Sequence, residues 1–155
     1  MLSCELQEKL MRIAQQQAAL AVERGDYPFG GLIADKEGNV IVKDGNREKT
    51  LGCPTRHAEM TLLEKACKEL GTNDLSGYIL MCNAEPCSMC SSAIIKCGIR
   101  EIYFGADMEE FCNPLLRVAE VAEYTKGELL VVPGILKEEC TAQIFAAREE
   151  QNEWV

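Results

Sequence analysis

The sequence predicts an α/β fold, with helices flanking a sheet of about five strands. Two observations carry the prediction. Stretches of helical apolar spacing alternate with short apolar runs along the chain, the pattern of layered α/β architectures. Glycines stand where those helical stretches should stop, at Gly25, Gly71 and Gly98. With 155 residues, 47% hydrophobic and 26% charged, the composition is that of a globular protein able to bury a core as one domain, residues 1–155.

Residues 3–24 place Leu6, Leu10, Ile13, Ala14, Ala18 and Leu20 at helical spacing and end at Gly25. Gly30 to Ala34 and Val40 to Val42 are apolar runs joined by Asp35-Lys36-Glu37-Gly38-Asn39, which predicts a β-hairpin. A polar loop, Asp44 to Arg56, leads into a second helix from about Thr55 to Leu70. Tyr78 to Cys82 reads as a buried strand. Pro86 suits the start of a third helix, because a first-turn N–H has no partner within the helix anyway. That helix carries Ala93, Ile94 and Ile95 and stops at Gly98. Ile102 to Phe104 and Leu129 to Val132 predict two further strands, and Lys137 to about Asn152 a charged amphipathic helix. No internal repeat, low-complexity tract or linker interrupts the series.

No run approaches the ~18 consecutive apolar residues of a membrane span. Met1 to Gln17 is polar and mixed in charge, and does not read as a signal peptide. The nine cysteines therefore read as thiols and metal ligands in a reducing cytoplasm, not as a disulfide framework. A formal net charge of −9 repels phosphate backbones, so a long nucleic-acid partner is disfavoured.

The chemistry concentrates in two fragments, His57-Ala58-Glu59 and Pro86-Cys87-Ser88-Met89-Cys90. They supply one imidazole, two thiols and a carboxylate. His57, Cys87 and Cys90 as three protein ligands suit a catalytic zinc ion, one per chain, with a fourth position left for water. Cys87 and Cys90 share one face of a helix, whose N-terminus favours thiolate over thiol. Glu59 is not needed as a ligand, and is placed to take a proton from water and hand it to a departing amine. His57 is the only histidine of the chain, so no second imidazole competes for the ligand role.

Plainer readings compete. Cys-x-x-Cys by itself also suits a redox pair. Cys53, four residues before His57, would close a four-ligand structural zinc site with His57, Cys87 and Cys90, leaving Glu59 without a task. Cys67, Cys82 and Cys97 lie in apolar contexts as core thiols, whereas Cys4, Cys112 and Cys140 carry no assigned role. Glu109-Glu110 and Glu149-Glu150 read as solvated faces.

The ordered pair His-x-Glu and Pro-Cys-x-x-Cys resembles the signature of zinc-dependent base deaminases. The likeness is to the cytidine deaminase superfamily, and within it to the nucleobase and tRNA adenosine deaminases. It runs from Tyr27-Pro28-Phe29-Gly30-Gly31 through Asn46 and Pro54-Thr55-Arg56-His57-Ala58-Glu59 to Glu85-Pro86-Cys87-Ser88-Met89-Cys90. It continues in Ile102-Tyr103-Phe104-Gly105-Ala106 and Gly134-Ile135-Leu136-Lys137-Glu138-Glu139-Cys140. The resemblance implies a three-layer α/β/α sandwich with a central five-stranded mixed sheet, Zn2+ on His57, Cys87 and Cys90, Glu59 as proton shuttle, and a homodimer. It also implies that Asn46, the Ala58 backbone and the Glu85 carbonyl bracket a base edge while Phe29 packs on the ring. Phe111 and Trp154 would close the pocket, although Trp154 reads equally as a tail packed on the surface.

Two features separate the chain from the tRNA adenosine deaminases. Pro28-Phe29-Gly30 stands where they typically read Pro-Val-Gly, and the terminus Arg148-Glu149-Glu150-Gln151-Asn152-Glu153-Trp154-Val155 is acidic where theirs tends to be basic. Both look more like guanine deaminases, and Gly30-Gly31 with the aromatic, acidic terminus is also similar to fungal-type cytosine deaminases. The expectation is a hydrolytic deaminase of a small aminated nucleobase or nucleoside, guanine-type before cytosine-type. A tRNA-specific adenosine deaminase is the first alternative, and a catalytically silent zinc-binding module the second.

Overall fold

The computed structural model describes residues 1–107 and 117–151. Phe111, Cys112 and Trp154 lie outside the described residues. The expected helix at the start is α1, Cys4–Glu23, whose cap Ser3 accepts a hydrogen bond from the Leu6 N–H at 3.3 Å. Gly25 follows at φ 91°, a left-handed turn that a side chain would oppose, and the helix stops there. The hairpin forms from β1, Gly30–Ala34, and β2, Val40–Gly45. Next come α2, Glu48–Leu51; α3, Ala58–Leu70; β3, Ile79–Ala84; and α4, Ser88–Lys96. The chain continues with β4, Glu101–Ala106; α5, Val118–Glu123; β5, Leu130–Val132; and α6, Lys137–Gln151.

The five strands form one mixed sheet in the order β2-β1-β3-β4-β5. β1 pairs antiparallel with both β2 and β3, while β3, β4 and β5 run parallel. Successive side chains of a strand point to opposite faces, and here both faces are covered. Leu32, Ala34, Ile79, Met81 and Tyr103 pack under α1 and α6 with Leu10, Met11, Ala14 and Ile144. Ile33, Leu80, Cys82, Ile102 and Phe104 pack under α3, α4 and α5 with Leu62, Leu63, Ile94 and Val118. The result is the expected three-layer sandwich. Fully burying one such aliphatic side chain contributes about 1.5–3 kcal/mol.

The structure differs from the expectation where tertiary contacts decide. β2 extends to Gly45 rather than Val42, because Gly31 and Gly30 continue the ladder to Asp44 and Gly45. The polar loop contains the one-turn helix α2. Its Thr50 N–H donates to buried Asp26 Oδ1 at 2.8 Å, and the Thr50 hydroxyl to Oδ2, contacts that no local pattern announces. α3 starts at Ala58, not Thr55, because the Arg56 carbonyl is taken by the Arg47 N–H at 2.9 Å and His57 is the extended cap. α4 likewise starts at Ser88, with Cys87 as its cap. β4 runs two residues past Phe104 because it pairs with β3 as far as Ala84↔Ala106. α5 was not anticipated.

One contact positions the site directly. Gly30 and Gly45 are cross-strand partners, and α1 lies directly over both. A Cβ on Gly30 would sit 2.6 Å from the Ala14 carbonyl oxygen, and one on Gly45 2.8 Å from that of Gln17. Both obstacles are backbone and cannot rotate away. Phe29 precedes one glycine and Asn46 follows the other, joined by Asn46 N–H to Phe29 carbonyl at 2.8 Å. Gly30→Ala is therefore expected to lower stability by about 1–3 kcal/mol or more. Urea unfolding checks this, and a variant as stable as the parent contradicts the packing described.

Candidate metal centre and base pocket

Two helix entrances meet beyond the carboxyl end of β3, where open α/β sheets commonly place ligand sites. His57 caps α3 and Cys87 caps α4. Cys90 stands one turn into α4, fully buried. The His57 Nδ1 lies 3.6 Å from Cys87 Sγ and 3.5 Å from Cys90 Sγ. Among the described residues these are the one cluster of metal-ligand type, with all ligand atoms within 4.8 Å of one another. Cys53 is not part of it. Its Sγ lies 3.3 Å from Thr55 Oγ1, which leaves the closed four-ligand reading without support.

The electrostatics suit a cation. The Cys90 side chain, the His57 ring and the Cys90 N–H hold the Cys87 thiol down at about 4, against the opposing effect of burial. Cys87 raises the His57 ring to about 9, burial working against it, with the charges of Glu59 and Glu48 assisting. Its neighbour Cys87 and then burial push Cys90 upward. A thiolate, an imidazole and a second thiol within bonding range of one point form a donor set that fits zinc.

Glu59, in the first turn of α3, is 7% exposed. Burial drives its carboxyl up to about 7, with the His57 charge opposing. A carboxyl poised there both accepts and releases protons at neutral pH.

These groups border a cavity of about 280 Å3 lined by Phe29, Asn46, Ala58, Glu59, Glu85 and Cys87 among others. The structure thus brings together every anticipated contact residue that it describes. The Glu85 carboxylate itself is turned to Arg117, whose Nη2 donates to Oε2 at 2.8 Å and whose Nε donates to Oε1 at 3.1 Å. Cys82, expected as a core thiol, is buried and also reaches the cavity wall.

Three wall residues escaped the sequence reading. Glu48 lies with Oε1 3.4 Å from His57 Nε2. Asn83 is buried in β3, accepting from Gly30 N–H at 2.9 Å and donating to the Pro28 carbonyl at 3.0 Å, which ties down the segment bearing Phe29. Arg148 of α6 is buried, with its guanidinium 5.8 Å from the Phe29 ring centre. A polar Asn inside the apolar run Ile79–Ala84 was the available signal for Asn83, since a buried amide needs partners. In the sequence Arg148 begins the acidic terminus, and only α6 packing turns it inward.

The profile of the cytidine and deoxycytidylate deaminase zinc-binding region matches residues 4–106. The chain belongs to this family. It is a zinc-dependent hydrolytic deaminase, with His57, Cys87 and Cys90 positioned as a possible zinc site. A tRNA-specific adenosine deaminase of Bacillus subtilis is 34% identical over 140 residues, covering 90% of this chain and 86% of that one. A solved structure from studies of A-to-I editing by tRNA deaminases at the wobble position is 31% identical, with TM-score 0.75, covering 87% of this chain and 98% of that one. A Bacillus subtilis guanine deaminase is 40% identical, but over 80 residues and 52% of this chain.

The tRNA-deaminase relatives overturn two expectations, the small nucleobase or nucleoside substrate, guanine-type before cytosine-type, and the improbability of a long nucleic-acid partner. The first rests on Phe29 within one tripeptide and on an acidic C-terminus, the second on a net charge of −9. Net charge sums the whole surface and says little about the mouth of one cavity, and of that terminus residues 152–155 lie outside the described residues. Among the described residues, no helix is long and apolar enough to cross a membrane.

Proposed function

We propose that this deaminase acts on adenosine in the anticodon loop of a transfer RNA, producing inosine and ammonia from adenosine and water. The observation that carries the reading is the 34% identity with the Bacillus subtilis tRNA-specific adenosine deaminase across 90% of this chain. The cavity, about 280 Å3, admits a base and not a folded RNA, so the nucleotide has to turn out of its loop to enter.

In this reading Phe29 packs on the flat face of the base. Asn46 and the free first-turn N–H of Ala58 hold its edge. Zinc held by His57, Cys87 and Cys90 supplies Lewis acidity that brings the pKa of a water toward about 7. Glu59 takes the first proton as water adds to the amine-bearing carbon and passes it to the ring nitrogen, then takes the second from the new hydroxyl and passes it to the leaving amine. Ammonia departs, leaving a carbonyl. Burial of Glu59 suits the task, since a carboxyl held near 7 returns its proton readily. On the α2 side, Arg47, Lys49 and Arg56 are cations close in sequence to Asn46 and His57, and Lys49 Nζ lies 4.6 Å from the ring centre of the wall residue Tyr27. The same proposal takes residues 1–155 as one deaminase domain working as a homodimer, which light scattering of the purified protein reads.

The test is zinc-loaded protein assayed against a tRNA anticodon stem-loop with adenosine at the wobble position, beside free guanine, cytosine and adenosine. Inosine in the stem-loop is expected, at a rate that falls steeply with salt as phosphate contacts are screened. Ammonia from a free base with none from the stem-loop overturns the reading.

A further inference from the structure

We propose that Glu48 is a positioning residue for the centre. Its carboxylate takes the outer N–H of the His57 ring, which reserves the inner nitrogen for the metal, and it fixes which way the Asn46 amide faces the base. The inference rests on the reading of His57 as a zinc ligand and Asn46 as a base contact.

The His57 ring is flanked on both nitrogens. Nδ1 faces Cys90 Sγ at 3.5 Å and Cys87 Sγ at 3.6 Å, while Nε2 faces Glu48 Oε1 at 3.4 Å. A neutral imidazole carries one N–H, and the nitrogen that bears it cannot bind a metal. An ionised carboxylate only accepts, so a carboxylate beside Nε2 draws the N–H to that nitrogen and leaves the Nδ1 lone pair aimed between the sulfurs. At 3.4 Å the pair is at ion-pair distance, with Glu48 Oε1 facing the Nε2 side of the ring. Glu48 does not act as a fourth ligand from this position, because it stands on the opposite side of the ring from the cluster formed by His57, Cys87 and Cys90.

The same carboxylate orders Asn46. Asn46 Nδ2 donates to Glu48 Oε1 at 2.8 Å, and the Glu48 backbone N–H donates to Asn46 Oδ1 at 3.0 Å. A flipped amide would set a carbonyl against a carboxylate and an NH2 against an N–H, losing both bonds. One N–H and one lone pair of Asn46 then remain in a fixed orientation for the base. Glu48 is held in turn because α2 is pinned by Thr50 to Asp26 and closed by Cys53 N–H to the Glu48 carbonyl at 2.9 Å. A carboxylate that orients a ligating histidine typically matters 10- to 100-fold in metal affinity or activity. Its presence here makes the metal ligand and the base contact one connected unit.

His57 is the sole histidine, so ring 15N labelling reports on this residue alone. In the zinc-loaded protein the expected spectrum has a metal-shifted Nδ1 and a slowly exchanging proton on Nε2. Glu48→Ala should weaken zinc binding about 10- to 100-fold in chelator competition and speed exchange of the Nε2 proton. Should that variant fail to fold, Glu48→Gln answers the same question. It keeps one acceptor oxygen and loses the charge, and weaker zinc binding with faster exchange than the parent supports the proposal. Parental zinc affinity and exchange in both variants, or in Glu48→Gln alone where Glu48→Ala does not fold, overturn it. A parent ring with no metal shift on Nδ1 overturns the ligand reading of His57 and this inference with it, an outcome separable from a failure of Glu48 alone.

Discussion

Glu59→Gln is expected to remove about 10²–10⁴-fold of the turnover while leaving zinc bound, the outcome for a side chain that, as proposed, moves protons without ligating the metal. The same substitution should stabilise the protein once zinc is chelated. Glu59 is 7% exposed, and burial raises its carboxyl from 4.5 to about 7. The folded state therefore holds the proton more tightly than the unfolded one. The stability linked to this group is fully present below about 4.5 and is lost as pH rises through about 7. Glutamine carries no such penalty, so the advantage of the variant should grow across that window to about 3 kcal/mol, at 1.36 kcal/mol per pKa unit. Urea unfolding of both proteins at several pH values measures it. A variant with parental turnover removes Glu59 from the chemistry, and a stability difference flat in pH refutes its buried-acid character.

Cys87→Ala should behave in the opposite way, losing the metal and turnover together. Cys87 is the proposed ligand whose thiol is already held at about 4, so it offers a charged sulfur without waiting for a metal to displace a proton. Metal content by mass spectrometry should fall well below that of the parent. Added zinc should also stop protecting the fold, a protection worth about 2.7 kcal/mol when free metal exceeds its Kd a hundredfold. A Cys87→Ala protein that keeps full zinc and full rate sinks the site assignment. Together the two variants separate a ligand from a proton carrier, because each keeps what the other loses.

The residues whose placement was legible beforehand share one property: local spacing governs them. His57 and Glu59 lie two apart at one helix entrance, and Cys87 and Cys90 three apart at another, so a single turn of helix orients each pair. The strands that line the core were legible for the same reason, since the apolar runs at Ile79 and Ile102 mark period-two elements buried on both faces. Glu48 was not legible. It lies in a polar stretch whose pattern reads as loop, and it belongs to a one-turn helix that Asp26, 24 positions before Thr50, pins through the Thr50 N–H. Asn83 and Arg148 acquire meaning only against Gly30 and Phe29, which are distant in sequence.

The substrate reading failed for a related reason. Net charge and a few divergent residues point to a small-molecule substrate, whereas affinity for a nucleic acid depends on where charges stand. Arg148 illustrates the point, counted at first among an acidic end and found buried in the cavity wall.

By itself, then, the sequence determined the layered α/β class and marked the candidate zinc donors and the carboxylate beside them, because periodicity and short spacings act within one or two turns of chain. The tertiary structure alone decided that α1 rests on paired glycines, that Asn83 ties down Phe29, and that Glu48 faces the far side of His57. Those outcomes depend on the strand order β2-β1-β3-β4-β5 and on helices closing over it. They are set by packing between segments far apart in the chain, which local pattern does not encode.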